Sequence, residues 1–210
     1  MDLIQALKWR YATKAYDRSK KLTDEQVAIL KEALQLSPSG FGLQPYKFLH
    51  IKNPELREKL KAVSWGQPQV TDASDFFVLC RINKIDAAFV ENFIQMTAAT
   101  QGSDVANFEG LKGMLMGAVA NHTEETFAHW ADKQVYLALG NLLTNCAAMG
   151  IDASHMEGFD QAQYDSILDL PAKGLHSVVI CAMGTRAPDD KYAMAKKVRF
   201  PQETLFMTIE

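Results

Sequence analysis

Cysteine is scarce in this chain: Cys80, Cys146 and Cys181 are the only three in 210 residues. Each sits inside an apolar run, so they read as small hydrophobes of a reducing compartment, with no metal-site or disulfide spacing. The five histidines, His50, His122, His129, His155 and His176, show no metal-ligand spacing either. Charge of one sign is also lacking. A formal net charge of −3 gives no bulk attraction for nucleic acid, so any anionic ligand must be held by a few placed cations. There is no glycine-rich fingerprint after a strand, no P-loop and no nucleophile elbow. Gly113 and Gly117 form a GxxxG spacing inside a helix and read as packing. The start, MDLIQALKWR, reads as a short amphipathic helix and not as a signal peptide, and a cytoplasmic protein with no membrane partner is expected. Without repeats, low-complexity tracts or a long linker, a single domain over residues 1–210 is expected.

What the chain does have is one long apolar segment. Residues 130–150, WADKQVYLALGNLLTNCAAMG, read as a helix that is apolar on nearly every side from Val135 to Met149. A helix apolar all round is expected to be buried all round. Asn141, Thr144 and Asn145 inside it, with Glu124, Glu125, Asp132 and Lys133 near its start, argue for a soluble core rather than a membrane span. Gly150 is placed for a left-handed cap. So short a chain struggles to wrap such a helix, and an obligate homodimer built around it is the simplest expectation.

The rest follows local signals. Asp2 caps a first helix through Leu7, and Thr23 with Gln26 makes a capping box for a second that Pro38 stops. SPSGFGLQP is a loop, YKFLHI a short strand, and Asn53-Pro54 opens a helix through Val63. SWGQPQVTD is again loop. DFFVLCRI and LHSVVICAMG are continuous apolar runs, read as strands buried on both faces. Residues 85–121 form a helical excursion, with helices near 87–100 and 104–119 broken at Gly102-Ser103. IDASHMEGFD holds a short strand and a turn, Asp160 caps a further helix, and ETLFMTIE reads as a terminal strand that must pair or fray.

Four loop-borne polar clusters remain: residues 10–14, 38–44, 67–69 and 197–199. Singly, each has an ordinary reading as a solvated helix end, a connecting turn, loop polars or a charged tail. Jointly, the order and spacing of ALKWRYATKAYD, SPSGFGLQPYKF, QPQVTDAS, ADKQVYLALGNLLTNCAAMGIDA, MEGFD and KKVRFPQ resemble the FMN-dependent nitroreductase family, in particular its oxygen-insensitive NAD(P)H nitroreductase and flavin reductase branch.

The resemblance implies an α+β fold. A mixed, mostly antiparallel sheet would be wrapped by helices in an intertwined homodimer, with each carboxy-terminal strand extending the partner's sheet and FMN at the interface. It implies that Arg10, Lys197 and Arg199 hold the phosphate and that Lys14 faces the pyrimidine edge of the flavin. Pro38, Ser39 and Gly40 would reach across from the partner, and Gln67 and Gln69 would lie near the ribityl chain and ring. Met156, Glu157 and Gly158 match the turn against the ring. Tyr11, Ala12 and His155 occupy cofactor positions where the family usually has His or Arg, Ser, and Pro; Gly66 replaces a frequent Asn. Phe41 and Gly42, with Leu115 or Met116, either wall the substrate space or are ordinary packing; the role of His155 is open. No side chain is expected to act as a catalytic acid or base, since the flavin N5 carries the chemistry while Lys14 and Glu157 assist electrostatically. The implied activity is ping-pong transfer of hydride from NADH or NADPH to nitroaromatics, quinones or free flavins. Pteridine reduction, dehalogenation and a non-catalytic flavin-binding dimer are the alternatives.

Overall fold

The computed structural model describes residues 2–210. Four strands, β1 (Tyr46–His50), β2 (Asp75–Ile82), β3 (Asp152–Met156) and β4 (Leu175–Gly184), form one sheet in the order β1-β2-β4-β3. All three pairings are antiparallel, and an isolated parallel bridge joins Ala12 to Ala153 beside β3. The two continuous apolar runs are the two central strands. Side chains alternate across them, so Phe77, Leu79, Val179 and Cys181 enter one apolar cluster while Phe76, Val78, Ile180 and Ala182 enter another on the opposite face.

Helices α1 (Leu3–Trp9), α2 (Asp24–Gln35), α3 (Pro54–Ala62), α4 (Gln69–Asp72), α5 (Ala87–Gln101), α6 (Glu109–Ala120), α7 (Glu124–Ala148), α8 (Gln161–Ile167) and α9 (Gln202–Leu205) surround this sheet. Leu30 and Leu34 of α2 join α7 on the first face; Leu60 of α3 and Tyr164 of α8 cover the second. The excursion, α5 and α6, packs on the start of α7 as a third cluster. The caps are where local spacing put them. Thr23 Oγ1 accepts from Gln26 N at 3.1 Å while Gln26 Oε1 accepts from Thr23 N at 2.9 Å. Asp2, Asn53 and Asp160 each accept from the backbone N–H three residues on. Gly102 and Gly150 take the left-handed conformation that closes α5 and follows α7.

Three expectations are corrected, and a fourth, burial of the long helix on every side, is not met within one chain. The long helix begins at Glu124, capped by Thr123, because the polar HTEETFAH stretch continues its amphipathic pattern before Trp130. Within one chain it is buried on one side only: Val135, Ala138, Leu139, Leu142 and Cys146 face the sheet, whereas Tyr136, Leu137 and Gly140 are exposed. The loop at QPQVTD contains the helical turn α4, built on Pro68. The terminal strand is absent from the single chain. Gln202–Leu205 is a helical turn after Pro201, and residues 206–210 run on without a partner strand.

Candidate functional site

The amino-terminal segment runs along the edge of β3, and the stretch after β4 crosses over it. Ala12 bridges to Ala153, and Tyr16 bridges to Arg186. Between them lies a cleft of about 610 Å³ lined by Lys8, Trp9, Arg10, Tyr11, Ala12, Lys14, His155, Arg186, Tyr192, Ala193, Ala195, Lys196, Lys197 and Arg199. Half of these residues are basic and none is acidic, so the cleft concentrates positive charge in a chain of net charge −3. Among the described residues, only Arg186 of these cations forms an ion pair. Its guanidinium reaches Asp152 Oδ1 at 2.6 and 2.7 Å and lies 4.3 Å from the Trp9 ring and 4.6 Å from the Tyr11 ring. The Lys197 ammonium bonds the carbonyls of Leu7 and Arg10, which strap the carboxy-terminal run to the end of α1.

His155 connects this cleft to a second group. Burial and then the neighbouring Arg10 and Lys14 push its imidazole below the ordinary histidine value, and Nδ1 is buried without a partner. Met156 ends β3, and Glu157 and Gly158 after it are clamped to residues 63–69. Gln67 Nε2 donates to Gly158 O at 2.7 Å, and Asp160 N donates to Val63 O at 2.9 Å. The Trp65 indole stands on Gly158 so closely that a Cβ there would come within 2.5 Å of Trp65 Cζ3. Tyr136 Oη donates to Glu157 Oε1 at 2.6 Å, and Gln69 is buried with Oε1 unpartnered.

The third group does not join the cleft within one chain. Gly40 N donates to Gln134 Oε1 at 2.8 Å and its Cα lies against the Trp130 ring, so the 38–42 loop is pinned to α7. Ser39 Oγ accepts from Gln44 N, Pro38 is exposed, and Phe41 is exposed at a positive φ of 57°. Gly42 approaches Phe93. Met116 is partly open, but Leu115 is wholly buried among Val90, Ile94 and Phe127. Leu115 therefore belongs to helix packing and walls no open space in this chain.

Sequence reasoning missed Trp65, Tyr136, Asp152, Arg186 and Asp190. Arg186 and Asp152 are 34 residues apart, and no local spacing announces such a pair. Another cleft of about 610 Å³ surrounds His50 and Arg57. There His50 is paired with Asp75 at 2.8 Å and Arg57 is engaged by three backbone carbonyls, so these two groups are already satisfied. No cluster of metal-ligating side chains and no helix long and apolar enough to cross a membrane is present among the described residues.

The sequence pattern described as the nitroreductase family matches residues 7–185. An oxygen-insensitive NAD(P)H nitroreductase of Salmonella typhimurium is 34% identical, over 97% of this chain and 98% of its own. One of the same name from Enterobacter cloacae is 32% identical, over 98% of each. Among solved structures, a protein of Exiguobacterium sibiricum, named as a nitroreductase and solved in complex with FMN, superposes with a TM-score of 0.84 at 19% identity, covering 100% of this chain and 98% of that one.

Proposed function

The chain belongs to the nitroreductase family, and from that premise we propose that it is an FMN-dependent NAD(P)H oxidoreductase. We assign it nitroaromatics, quinones or free flavins as acceptors, and a homodimer with the cofactor between subunits as its working form. The single observation that carries the reading is the cleft of seven cations, six of them without an ion pair, joined through His155 to the clamped residues 157 and 158.

The residues present fit the cofactor. A phosphomonoester brings about −1.5 to −2 charges, and Lys8, Arg10, Lys14, Lys196, Lys197 and Arg199 face the cleft with no carboxylate to cancel them. His155, which lines the cleft, has its buried Nδ1 without a partner, of the kind a polar ligand satisfies, and Gln69, outside that lining with a buried unpartnered Oε1, is assigned to the ribityl side. Arg10 and Arg199 offer planar forks suited to phosphate; Lys197, with two of its three N–H groups on carbonyls, adds charge and one remaining donor. Lys14 is assigned the pyrimidine edge, where a fixed cation favours negative charge. Tyr11 and Ala12 line the wall, and Gln67 holds Gly158 so that the backbone of residues 157 and 158 is presented at a fixed angle. Pro38, Ser39, Gly40, Phe41, Gly42 and Met116 lie elsewhere in the same chain and are assigned to the partner's site. When bound, FMN would supply the hydride chemistry between a nicotinamide donor and the acceptor, while the chain supplies position and electrostatics.

Purified protein is expected to be yellow and to bleach with NADH or NADPH under argon, then to regain colour with a nitroaromatic or quinone. Yellow protein that does not bleach would convert the reading to a non-catalytic flavin-binding dimer. Bleached protein that recovers only with another class of acceptor would assign a different reduction, and protein without affinity for FMN would overturn the proposal.

A further inference from the structure

The cations of the cleft come from two segments that the secondary structure joins only at one isolated bridge, Tyr16 to Arg186, where Asp17 N donates to Thr185 O and Ala187 N to Ala15 O, short of Lys196–Arg199. Lys196, Lys197 and Arg199 stand on a stretch after β4 that has no strand or α-helix and is almost wholly exposed. One residue of that stretch, Asp190, is buried. Its Oδ2 accepts from Tyr11 Oη at 2.9 Å, from Lys14 N at 2.9 Å and from Ala15 N at 3.1 Å. Its Oδ1 accepts from Tyr192 N at 3.0 Å. Beyond the Tyr16–Arg186 bridge, one carboxylate thus adds four bonds between and within the segment carrying Arg10 and Lys14 and the segment carrying Lys196–Arg199.

We infer that Asp190 is a positioning residue of the cofactor site, a latch that fixes the two cationic walls from behind without facing the ligand. The inference rests on the reading of the cleft as the cofactor site. Asp190 does not line the cleft, so its charge sits behind the Tyr11 hydroxyl and two peptide N–H groups and not against the phosphate. Only an ionised carboxylate can accept all four bonds. Burial would raise its pKa, but the N–H groups of Tyr192, Lys14 and Ala15 and the Tyr11 hydroxyl outweigh this and hold it below the usual carboxylate range. The Tyr11 phenol is pushed up to about 12, by burial and then by Asp190, and so stays a donor at every physiological pH. Tyr11 therefore has a reason to replace the family's usual residue here: its hydroxyl spans from the amino-terminal wall to the latch. The Lys197 strap and the Asp190 latch fasten the run beyond the Tyr16–Arg186 bridge.

The test uses the full chain, stripped of flavin and titrated with FMN, in the wild-type, Asp190→Asn and Tyr11→Phe forms. Asp190→Asn cannot accept all four bonds and should weaken FMN by about tenfold or more, as loss of a residue that orients ligand-binding groups commonly does. Tyr11→Phe should weaken it about threefold, and the loss should not add to that of Asp190→Asn because both act through one latch. The 13Cζ resonance of Tyr11 should report ionisation at a lower pH in Asp190→Asn than in the wild type, because Asp190 raises the phenol beyond what burial alone does, a change that a merely structural role elsewhere would not produce. Wild-type affinity in a folded Asp190→Asn protein would overturn the role alone. Additive losses, or a Tyr11 that titrates as an exposed tyrosine in the wild type, would overturn the latch. Should Asp190→Asn fail to fold, Tyr11→Phe decides through its own affinity, and unchanged binding overturns the coupling. A wild-type chain that does not bind FMN would overturn the reading of the cleft and this role with it, while the resonance still reports whether the contact exists.

Discussion

Ending the chain after Pro201 is a perturbation whose effect within one subunit is close to zero. Among the described residues, the hydrogen bonds recorded for residues 202–210 are local: Thr204 N to Pro201 O and Phe206 N to Gln202 O. Leu205, Phe206, Met207 and Ile209 are 60%, 73%, 87% and 87% exposed. Isolated exposed apolar side chains are ordinary, but four in the last six residues, beyond any strand, form a segment with an apolar face and nothing to cover it. Docked on a second copy, these side chains would contribute about 6 kcal/mol of apolar burial. Ordering five residues would cost about 5 kcal/mol, and about four edge-strand hydrogen bonds would add about 1 kcal/mol each. The balance is about 5 kcal/mol per tail, which is more than a thousandfold in the dissociation constant. Sedimentation equilibrium on full-length and truncated protein, with urea unfolding of each, reads this directly. Strand exchange predicts a full-length dimer, a truncated chain that dissociates at micromolar concentration, and a lower urea midpoint. A truncated protein with the dimer constant and midpoint of the full chain would refute the reasoning, because no contact inside the subunit could hide the loss.

Arg199→Ala should weaken FMN by about 1 kcal/mol, the value of a charged hydrogen bond reduced for an exposed position; unchanged affinity in a flavin-quenching titration removes Arg199 from the phosphate. Arg57→Met should cost about 3 kcal/mol in urea unfolding, since Arg57 Nε and Nη2 satisfy the buried carbonyls of Val70 and Ala73 at 2.6 and 2.7 Å; a loss under about 1 kcal/mol would contradict that role. His155 carries a folded pKa below its ordinary value, so the unfolded chain binds the proton more readily. Stability of the flavin-free protein should fall as pH drops through about 6.5 and level off below the folded value. Thermal unfolding of His155→Gln should show a shallower decline, with the remainder from His50, whose pKa burial also lowers despite Asp75. An identical pH profile would show that His155 is not held neutral.

Features whose physics is complete within a few residues are legible in the sequence alone. The caps at Asp2, Thr23, Asn53 and Asp160 form over three positions, so the residue types alone announce the bonds. β2 and β4 were legible because a strand covered on both faces has no polar side, and the break at Gly102 because only glycine takes that conformation cheaply. Of the residues that the sequence assigns to the candidate site, Arg10, Tyr11, Ala12, Lys14, His155, Lys197 and Arg199 line one cleft. Their ordinary single readings were outweighed by the order of several motifs, not by any one residue.

What the chain order could not reveal was every relation between distant residues. The Asp190 latch spans 175–179 positions, and the Arg186–Asp152 pair spans 34. Whether a charge is available to a ligand or already engaged depends on such partners, and only the fold chooses them. The same holds for Leu115, whose helix offers it either to the core or to an opening; packing of α6 on α5 and α7 put it in the core. The terminal segment was readable as apolar and extended but not as helical at Gln202–Leu205, because its preference is weak and the chain before it ends no strand. Local sequence determined the elements and the residue types of the cleft; tertiary structure decided which cations stay unpaired and what holds them in place.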